Sequence, residues 1–411
     1  MDFKDTPEEA AFRCEVRAWL ETTAPSHSVA VKLQTAGVTD LVLVEKARGW
    51  QRAKAAAGYG AITWPVQFGG RGASRMQAVI FKQEEASQPV PFGVFAIGLD
   101  LCLPTIMACG TEAQIQRFTR PALQGDEIWC QLFSEPGAGS DVAGVRMTAK
   151  RDGGDWILNG QKVWTTGAHY CDYGIIIARS DPDAPKHKGL TCFIVDMHAA
   201  GVEVRPIRQI SGSASFNEVF FTDARVPDTM RIGAINEGWT VAMQTLTFER
   251  LSIASVEHGQ ASEIGALIDL ASKIEFNGVP AIRDRAVRER IADWYVEGQG
   301  LRYTNYRTLT DISRGVPPGP ESSINKVVKG KRMQDMAAYA MELAEMAGAS
   351  MDGIATTFGH AYLYSPSTRM AGGTDEILRN IIAERVLGLP GDIRIDKTLP
   401  FSRLKKGTRE S

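Results

Sequence analysis

No stretch of these 411 residues approaches the roughly 20 consecutive apolar residues that a membrane-spanning helix needs. Charge of one sign is missing as well. Lys and Arg number 46 against 48 Asp and Glu, giving a net charge of −2. The two signs are interspersed, which argues against a nucleic-acid-binding face. Cysteine is sparse: Cys14, Cys102, Cys109, Cys130, Cys171 and Cys192 show no CxxC spacing and sit mostly among apolar neighbours. They read as reduced, buried thiols of a cytoplasmic protein. His169, His187 and His198 have no ligand spacing such as HxxxH, so no metal site is expected. A Ser-His-Asp pattern and a GxxxxGK(S/T) phosphate loop are also lacking. The N-terminus, Met1-Asp-Phe-Lys-Asp-Thr-Pro-Glu-Glu, is polar and acidic and reads as neither signal nor transit peptide.

What the chain has is enough apolar residue, 44%, for a sizeable core, and a length that implies two or three domains. Thr6-Pro7-Glu8-Glu9 reads as a capping box with proline at the first helical position, followed by Phe12, Val16, Trp19 and Leu20 at helical spacing. A second box runs from Thr111 to Gln114. Between 127 and 232 the period changes to short β-branched or aromatic runs separated by Gly, Pro or Asp. These include 174–178, 190–195, 202–207 and 219–222, with a hairpin expected about Asn159-Gly160, and they suggest an antiparallel sandwich or barrel. Helical spacing returns after Gly238, with helices expected at 239–257, 286–313, 323–347 and 375–387. The expected layout is an α+β chain with an N-terminal helical domain at 1–126, a middle antiparallel β domain at 127–232, a C-terminal helical bundle at 233–400 and a basic, mobile tail at 401–411.

The most informative segment is Cys130-Gln-Leu-Phe-Ser-Glu-Pro-Gly-Ala-Gly-Ser-Asp141, followed by Trp164-Thr-Thr-Gly167. Pro136, Gly137 and Gly139 permit a tight path that exposes N–H groups, and Ser134, Ser140 and Thr166 add hydroxyls. Such a surface suits a flat, polar, partly anionic ligand. Taken alone, Trp164 fits better as a core aromatic closing a hairpin strand.

The order of these residues resembles the acyl-CoA dehydrogenase family, whose signature is S/T-E-P-x-A-G-S-D with W-x-T further on. The resemblance covers nearly the whole chain and implies helical, β and helical domains around FAD. It implies that Gln131, Phe133 and Ser134 lie at the flavin's pyrimidine edge, that Trp164 stacks on the isoalloxazine, that Thr166 bonds near N5, and that Ser140 contacts the acyl-CoA. Gly373-Thr374, leading into Asp375-Glu376-Ile377-Leu378-Arg379, resembles the family's G-T-x-x-I-x-R segment near the flavin diphosphate.

Many members take the α-proton with the glutamate of a Y-E-G-T segment, which here is Ala371-Gly372-Gly373-Thr374. The isovaleryl and long-chain types carry the base on an earlier helix, just before an arginine, and this chain has Glu249-Arg250 there. The resemblance thus implies Glu249 as base, Arg250 as the neighbouring substrate-side arginine, and Gly372 acting through its backbone N–H on the thioester oxygen. Taken alone, Glu249 fits a solvated helix glutamate or a simple ion pair. Glycine at 372 suggests a long, branched or ring-bearing acyl group.

Two segments depart from the family. Lys273-Ile-Glu-Phe276-Asn-Gly278 only partly matches the adenine-reaching Arg-x-x-Phe-Gly, and Glu345-Met-Ala-Gly348 stands where the diphosphate segment begins with glutamine. The implied reaction gives a trans-2-enoyl-CoA with hydride passing to flavin N5 and electrons leaving to an electron-transferring flavoprotein. The implied assembly is a homotetramer or a two-plus-two heterotetramer. Two alternatives stay open: an oxidase of the same fold, and a non-catalytic or partner-dependent subunit.

Overall fold

The computed structural model describes residues 5–25, 41–88, 90–91, 93–254, 260–314, 316, 319–350, 356–391 and 398–404, with side chains at 250–254, 260–263, 312 and 313 outside that set. By packing, the chain forms two units: Phe12–Ser252 with Asp392–Ser411, and Met1–Ala11 with Ile253–Gly391.

In the first unit, helices Leu41–Ala56, Arg75–Glu85, Leu103–Cys109 and Glu112–Leu123 precede the sheet. Thr111 caps the last of these reciprocally with Gln114, as its sequence predicts, and Ser74 does the same with Gln77. The same reciprocal bonds join Thr6 and Glu9 at the start of helix Pro7–Thr23. Phe118 packs edge-on to Trp129, with ring centroids 5.2 Å apart. Through this pair the helical layer and the sheet share one core, which runs on through Leu132, Ile176 and Phe193.

The strands are β1 (Trp129–Leu132), β2 (Thr148–Asp152), β3 (Asp155–Thr166), β4 (Tyr173–Arg179), β5 (Leu190–Asp196), β6 (Val202–Ile207), β7 (Phe216–Pro227) and β8 (Arg231–Ile232). They form one sheet in the order β6-β7-β3-β2-β4-β5-β8, with β1 joined to β4. Most pairs are antiparallel, but β1 runs parallel to β4, and β2 meets β4 in parallel at Thr148 and Arg179. The sheet is therefore mixed rather than purely antiparallel. Nearly every residue of β4 and β5 is buried, as expected of strands covered on both faces. By contrast, β6 alternates, carries Pro206 and lies at an edge.

The hairpin expected at Asn159-Gly160 is not there. β3 runs unbroken through both residues, and the turn lies at Gly153-Gly154, where Asp152 pairs with Asp155. Asn159 is held instead by side-chain bonds to Asp223, and Gly160 sits at a register shift against β7 with φ 147°. A Cβ at Gly160 would come within 2.8 Å of Met147, so this glycine answers a close approach rather than a turn.

Of the tail expected at 401–411, residues 405–411 lie outside the described residues, and the start is packed against the rest of the first unit. Phe401 and Ser402 donate their N–H groups to Ala184 and Pro182, and Phe401 is buried over the guanidinium of Arg179 at 3.8 Å.

The second unit contains helices Gln260–Lys273, Arg285–Ser313, Ser322–Leu343, Thr356–Thr368 and Asp375–Ile381. The first and fourth of these have no counterpart among the helices expected from spacing. Leu267, Leu270, Ile291, Trp294, Met336, Ala340, Leu343 and Phe358 make the unit's core. Lys273–Gly278 ends in a small hairpin: Phe276 pairs with Val279 about Asn277-Gly278, both at positive φ.

Candidate active site

The signature loop is built around a buried ion pair. Glu135 and Ala138 exchange backbone bonds of 3.0 Å, which makes Pro136-Gly137 a two-residue turn. The Glu135 carboxylate accepts from the N–H groups of Arg146 (2.7 Å) and Met147 (3.0 Å) and from Lys162 Nζ (2.9 Å). Lys162 is fully buried and also donates to the Phe133 carbonyl at 3.0 Å, which occupies one of that oxygen's two lone pairs. Burial pulls the Lys162 pKa down, against the pull of Glu135. Neither residue stands out in the sequence as a support. Lys162 carries no motif of its own, and Glu135 is signalled only by its place in the signature.

Arg179 holds the far side of the loop. Its guanidinium donates to the carbonyls of Ala143 (2.6 Å), Val145 (3.3 Å) and Lys186 (2.7 Å), and burial lowers its pKa to about 10. Ser140 is exposed just before Asp141, which pairs with Lys186 at 2.9 Å. Gly137 and Gly139 have ordinary φ, and a Cβ on either would meet nothing within 4 Å. The fold therefore does not require glycine there, whereas a ligand lying against the backbone would. Behind the loop is a cleft of about 210 Å³ lined by Glu135, Gly137, Arg146, Met147 and Gln161.

The Val163 N–H donates to the Ser134 carbonyl at 3.0 Å, bringing the end of β3 beside the loop. Here β3 carries an extra residue. Lys162 pairs with Val219 and Thr165 with Asn217, three steps against two. The bulge puts Trp164 at φ 61° and leaves its indole 59% exposed, so it is not a core aromatic. Left-handed backbone costs a residue with a Cβ roughly 1–2 kcal/mol. Asn217, fully buried, holds the bulge by donating to the Thr165 carbonyl at 2.9 Å. Its Oδ1 then accepts from His169 Nδ1 at 3.0 Å, which fixes the proton on that nitrogen. Burial keeps the His169 pKa below its ordinary value. Thr166 is half-buried opposite Phe216, and Gln131 is half-buried in β1 opposite Ile175. An exposed indole, open glycine backbone and neighbouring hydroxyls fit the flat, polar ring system of a flavin.

Glu249 is half-buried on helix Gly238–Ala254. One turn earlier, Thr245 is completely buried and accepts a 3.0 Å bond from Thr105. Residues four apart share a helix face, so this anchor sets the face that Glu249 occupies. The side chain of Arg250 lies outside the described residues.

In the other unit, Gly372 (φ 66°) and Gly373 (φ 95°) turn the chain into helix Asp375–Ile381, whose N-cap Thr374 accepts from the Ile377 N–H at 3.3 Å. A Cβ at Gly373 would lie 3.2 Å from Leu378. Lys326, from helix Ser322–Leu343, donates to the carbonyls of Arg369 (3.0 Å) and Gly373 (2.5 Å). Among the described residues, no group of three or more His, Cys, Asp or Glu could hold a metal ion.

Three family models match consecutive parts of the chain: acyl-CoA dehydrogenase N-terminal domain at residues 6–126, middle domain at 130–224 and C-terminal domain at 236–387. The chain belongs to the acyl-CoA dehydrogenase family. The acyl-CoA dehydrogenase IpdE1 of Mycobacterium tuberculosis is 38% identical over 386 residues, 93% of this chain and 98% of that protein. The human mitochondrial short-chain specific acyl-CoA dehydrogenase is 27% identical over 79% of this chain and 78% of its own. Among solved structures, the Tcur3481-Tcur3483 steroid ACAD superposes with a TM-score of 0.82 at 25% identity, covering 95% of this chain and 100% of that one. The ChsE4-ChsE5 complex from M. tuberculosis gives 0.80 at 28%, covering 95% and 100%.

As an acyl-CoA dehydrogenase, the chain is an oxidoreductase acting on the CH–CH group of acyl-CoA thioesters. Its departures from the family pattern stand out structurally. Glu345 is exposed at φ 46°, a positive φ that a side chain adopts only under strain. The segment from Lys273 forms the hairpin described above, with Lys273 itself exposed. No described helix is long and apolar enough to cross a membrane.

Proposed function

We propose that this acyl-CoA dehydrogenase is FAD-dependent, with Glu249 as the base that takes the α-proton of the thioester. The Gly372 N–H donates to the thioester oxygen and lowers the energy of the charge that develops there. Bound FAD supplies the acceptor for the β-hydride, so that the product is a trans-2-enoyl-CoA. Gln131, Phe133, Ser134, Trp164 and Thr166 receive the flavin ring, Gly373 and Thr374 serve its diphosphate side, and Ser140 and Arg250 the acyl-CoA. Electrons pass to an electron-transferring flavoprotein, and the enzyme works in the cytoplasm.

The observation that carries the flavin reading is Trp164, whose exposed indole is presented by a strained bulge that Asn217 holds in place. A buried network that maintains strain to expose an aromatic ring is a cost to stability unless a ligand uses the ring. Glycine at 372 leaves room for a ring-bearing acyl group, in keeping with the likeness to a steroid ACAD. The test is the visible spectrum of the purified protein with FAD counted per chain, followed by anaerobic bleaching with acyl-CoA. Glu249→Gln should retain flavin and acyl-CoA binding and lose about 100-fold or more in kcat. Turnover near that of the wild type would refute the base.

A second reading is favoured by Glu345 and Lys273: the chain completes its flavin site only in a two-plus-two heterotetramer with a related subunit. An exposed carboxylate at the start of the diphosphate segment repels a diphosphate. Little or no flavin in the chain purified alone, restored by coexpression with the related subunit, would favour it over the homotetramer.

A further inference from the structure

A glycine pair is the loosest hinge a chain can contain, yet an amide serves as an oriented donor only if its direction is fixed before the substrate arrives. Gly372 and Gly373 both sit at positive φ, and Gly372 is exposed. What holds them is a set of charges centred on the buried Asp375. Lys326 is 14% exposed, and its ammonium reaches the Arg369 carbonyl before the turn, the Gly373 carbonyl within it, and Asp375 Oδ1 (3.6 Å) after it. Two of its N–H donors thus bond carbonyls before and within the turn, and Asp375 is met as an ion pair only. Asp375 is 2% exposed and grips Arg369 through Nε and a terminal nitrogen, both at 2.7 Å, while its own N–H bonds the Arg369 carbonyl at 3.1 Å. Arg369 is steadied in turn by Gln334 at 3.1 Å. None of these side chains belongs to the residues read as the active site.

We propose that Lys326 is the positioning residue for the Gly372 amide, its ammonium locking the glycine turn into a fixed donor for the thioester oxygen. This rests on the function proposed above. Removing the ammonium leaves the Arg369 and Gly373 carbonyls without their donor and Asp375 paired with Arg369 alone, and the turn regains glycine's freedom.

The test compares wild type with Lys326→Met in the flavin-loaded protein, with its partner if one is required. The infrared thioester band of bound octanoyl-CoA and cyclohexylpropanoyl-CoA, isotope-labelled at the thioester carbon, is the first readout. In the wild type the band should lie below its solution position, and in Lys326→Met it should return toward it. kcat should fall about 10- to 100-fold with KM changed less than about threefold, because the bond strengthens mainly in the transition state. Hydrogen exchange of the segment 369–375, followed on flavin-free protein, should quicken. If Lys326→Met does not fold, Asp375→Asn, which keeps shape but removes the counter-charge, is read in the same band. A shifted wild-type band that these variants leave in place, with kcat within about twofold, overturns this inference alone. A wild-type band at the solution position overturns the proposed function with it.

Discussion

Replacing Trp164 with glycine separates a residue kept for a ligand from one kept for the fold. The indole is 59% exposed, so about two-fifths of a side chain that can bury roughly 250 Å² is covered, on the order of 100 Å². At about 25 cal/mol/Å² the loss is at most about 2.5 kcal/mol. Against it stands relief of left-handed strain at φ 61°, roughly 1–2 kcal/mol, less the entropy that glycine regains on unfolding. Trp164→Gly should therefore cost no more than about 2.5 kcal/mol of unfolding free energy, and Trp164→Ala should be the less stable of the two. Trp156 provides the contrast: it is 3% exposed and its Nε1 donates to Asp228 at 2.7 Å. Its replacement by alanine should cost about 3–5 kcal/mol. Urea unfolding of the flavin-free variants measures all three, with flavin retention scored separately. If Trp164→Gly destabilises as much as Trp156→Ala, the indole is part of the core and the ligand-facing reading of the bulge fails.

Two further outcomes follow from the same geometry. Asp228 has its pKa depressed to about 2, chiefly by hydrogen bonds from Arg231 and then from Trp156. A depressed carboxylate contributes stability above its unfolded pKa and loses it as pH falls through the folded one, so the window runs from about 4 down to about 2. Melting temperatures across that range should fall less steeply for Asp228→Asn than for wild type; parallel curves would contradict the assignment. Phe401→Ala removes a ring that is 6% exposed and lies over Arg179, and should cost about 3 kcal/mol in denaturant unfolding. An unchanged midpoint would mean that Phe401 does not fasten its segment to Arg179.

Local signals account for the elements that are legible in the sequence. The capping boxes at Thr6 and Thr111 and the helices near 238–254, 285–313 and 322–343 depend on contacts between residues three or four apart, and those contacts are written in the sequence. The signature loop is legible as an order of residues, and the family models bear out the family it implies. The Asn159-Gly160 pair misleads because a dipeptide's turn preference is weak beside a long strand paired on both sides. Helix Thr356–Thr368 is hidden because its buried positions, Phe358, Gly359 and Ser365, make little apolar pattern.

The sequence by itself determined the family and the order of helical and β segments. Only the tertiary structure decided that Trp164 faces outward and that Lys162 and Glu135 form the buried support of the signature loop. It also decided that Lys326 and Asp375 clasp the glycine turn. The reason is separation along the chain. Lys162 meets Glu135 across 27 residues, Asn217 meets Thr165 across 52, and Lys326 meets Gly373 across 47. Bonds of that span depend on strand register and helix packing, which no local pattern encodes, and a one-residue bulge is enough to turn a side chain from the core to the solvent.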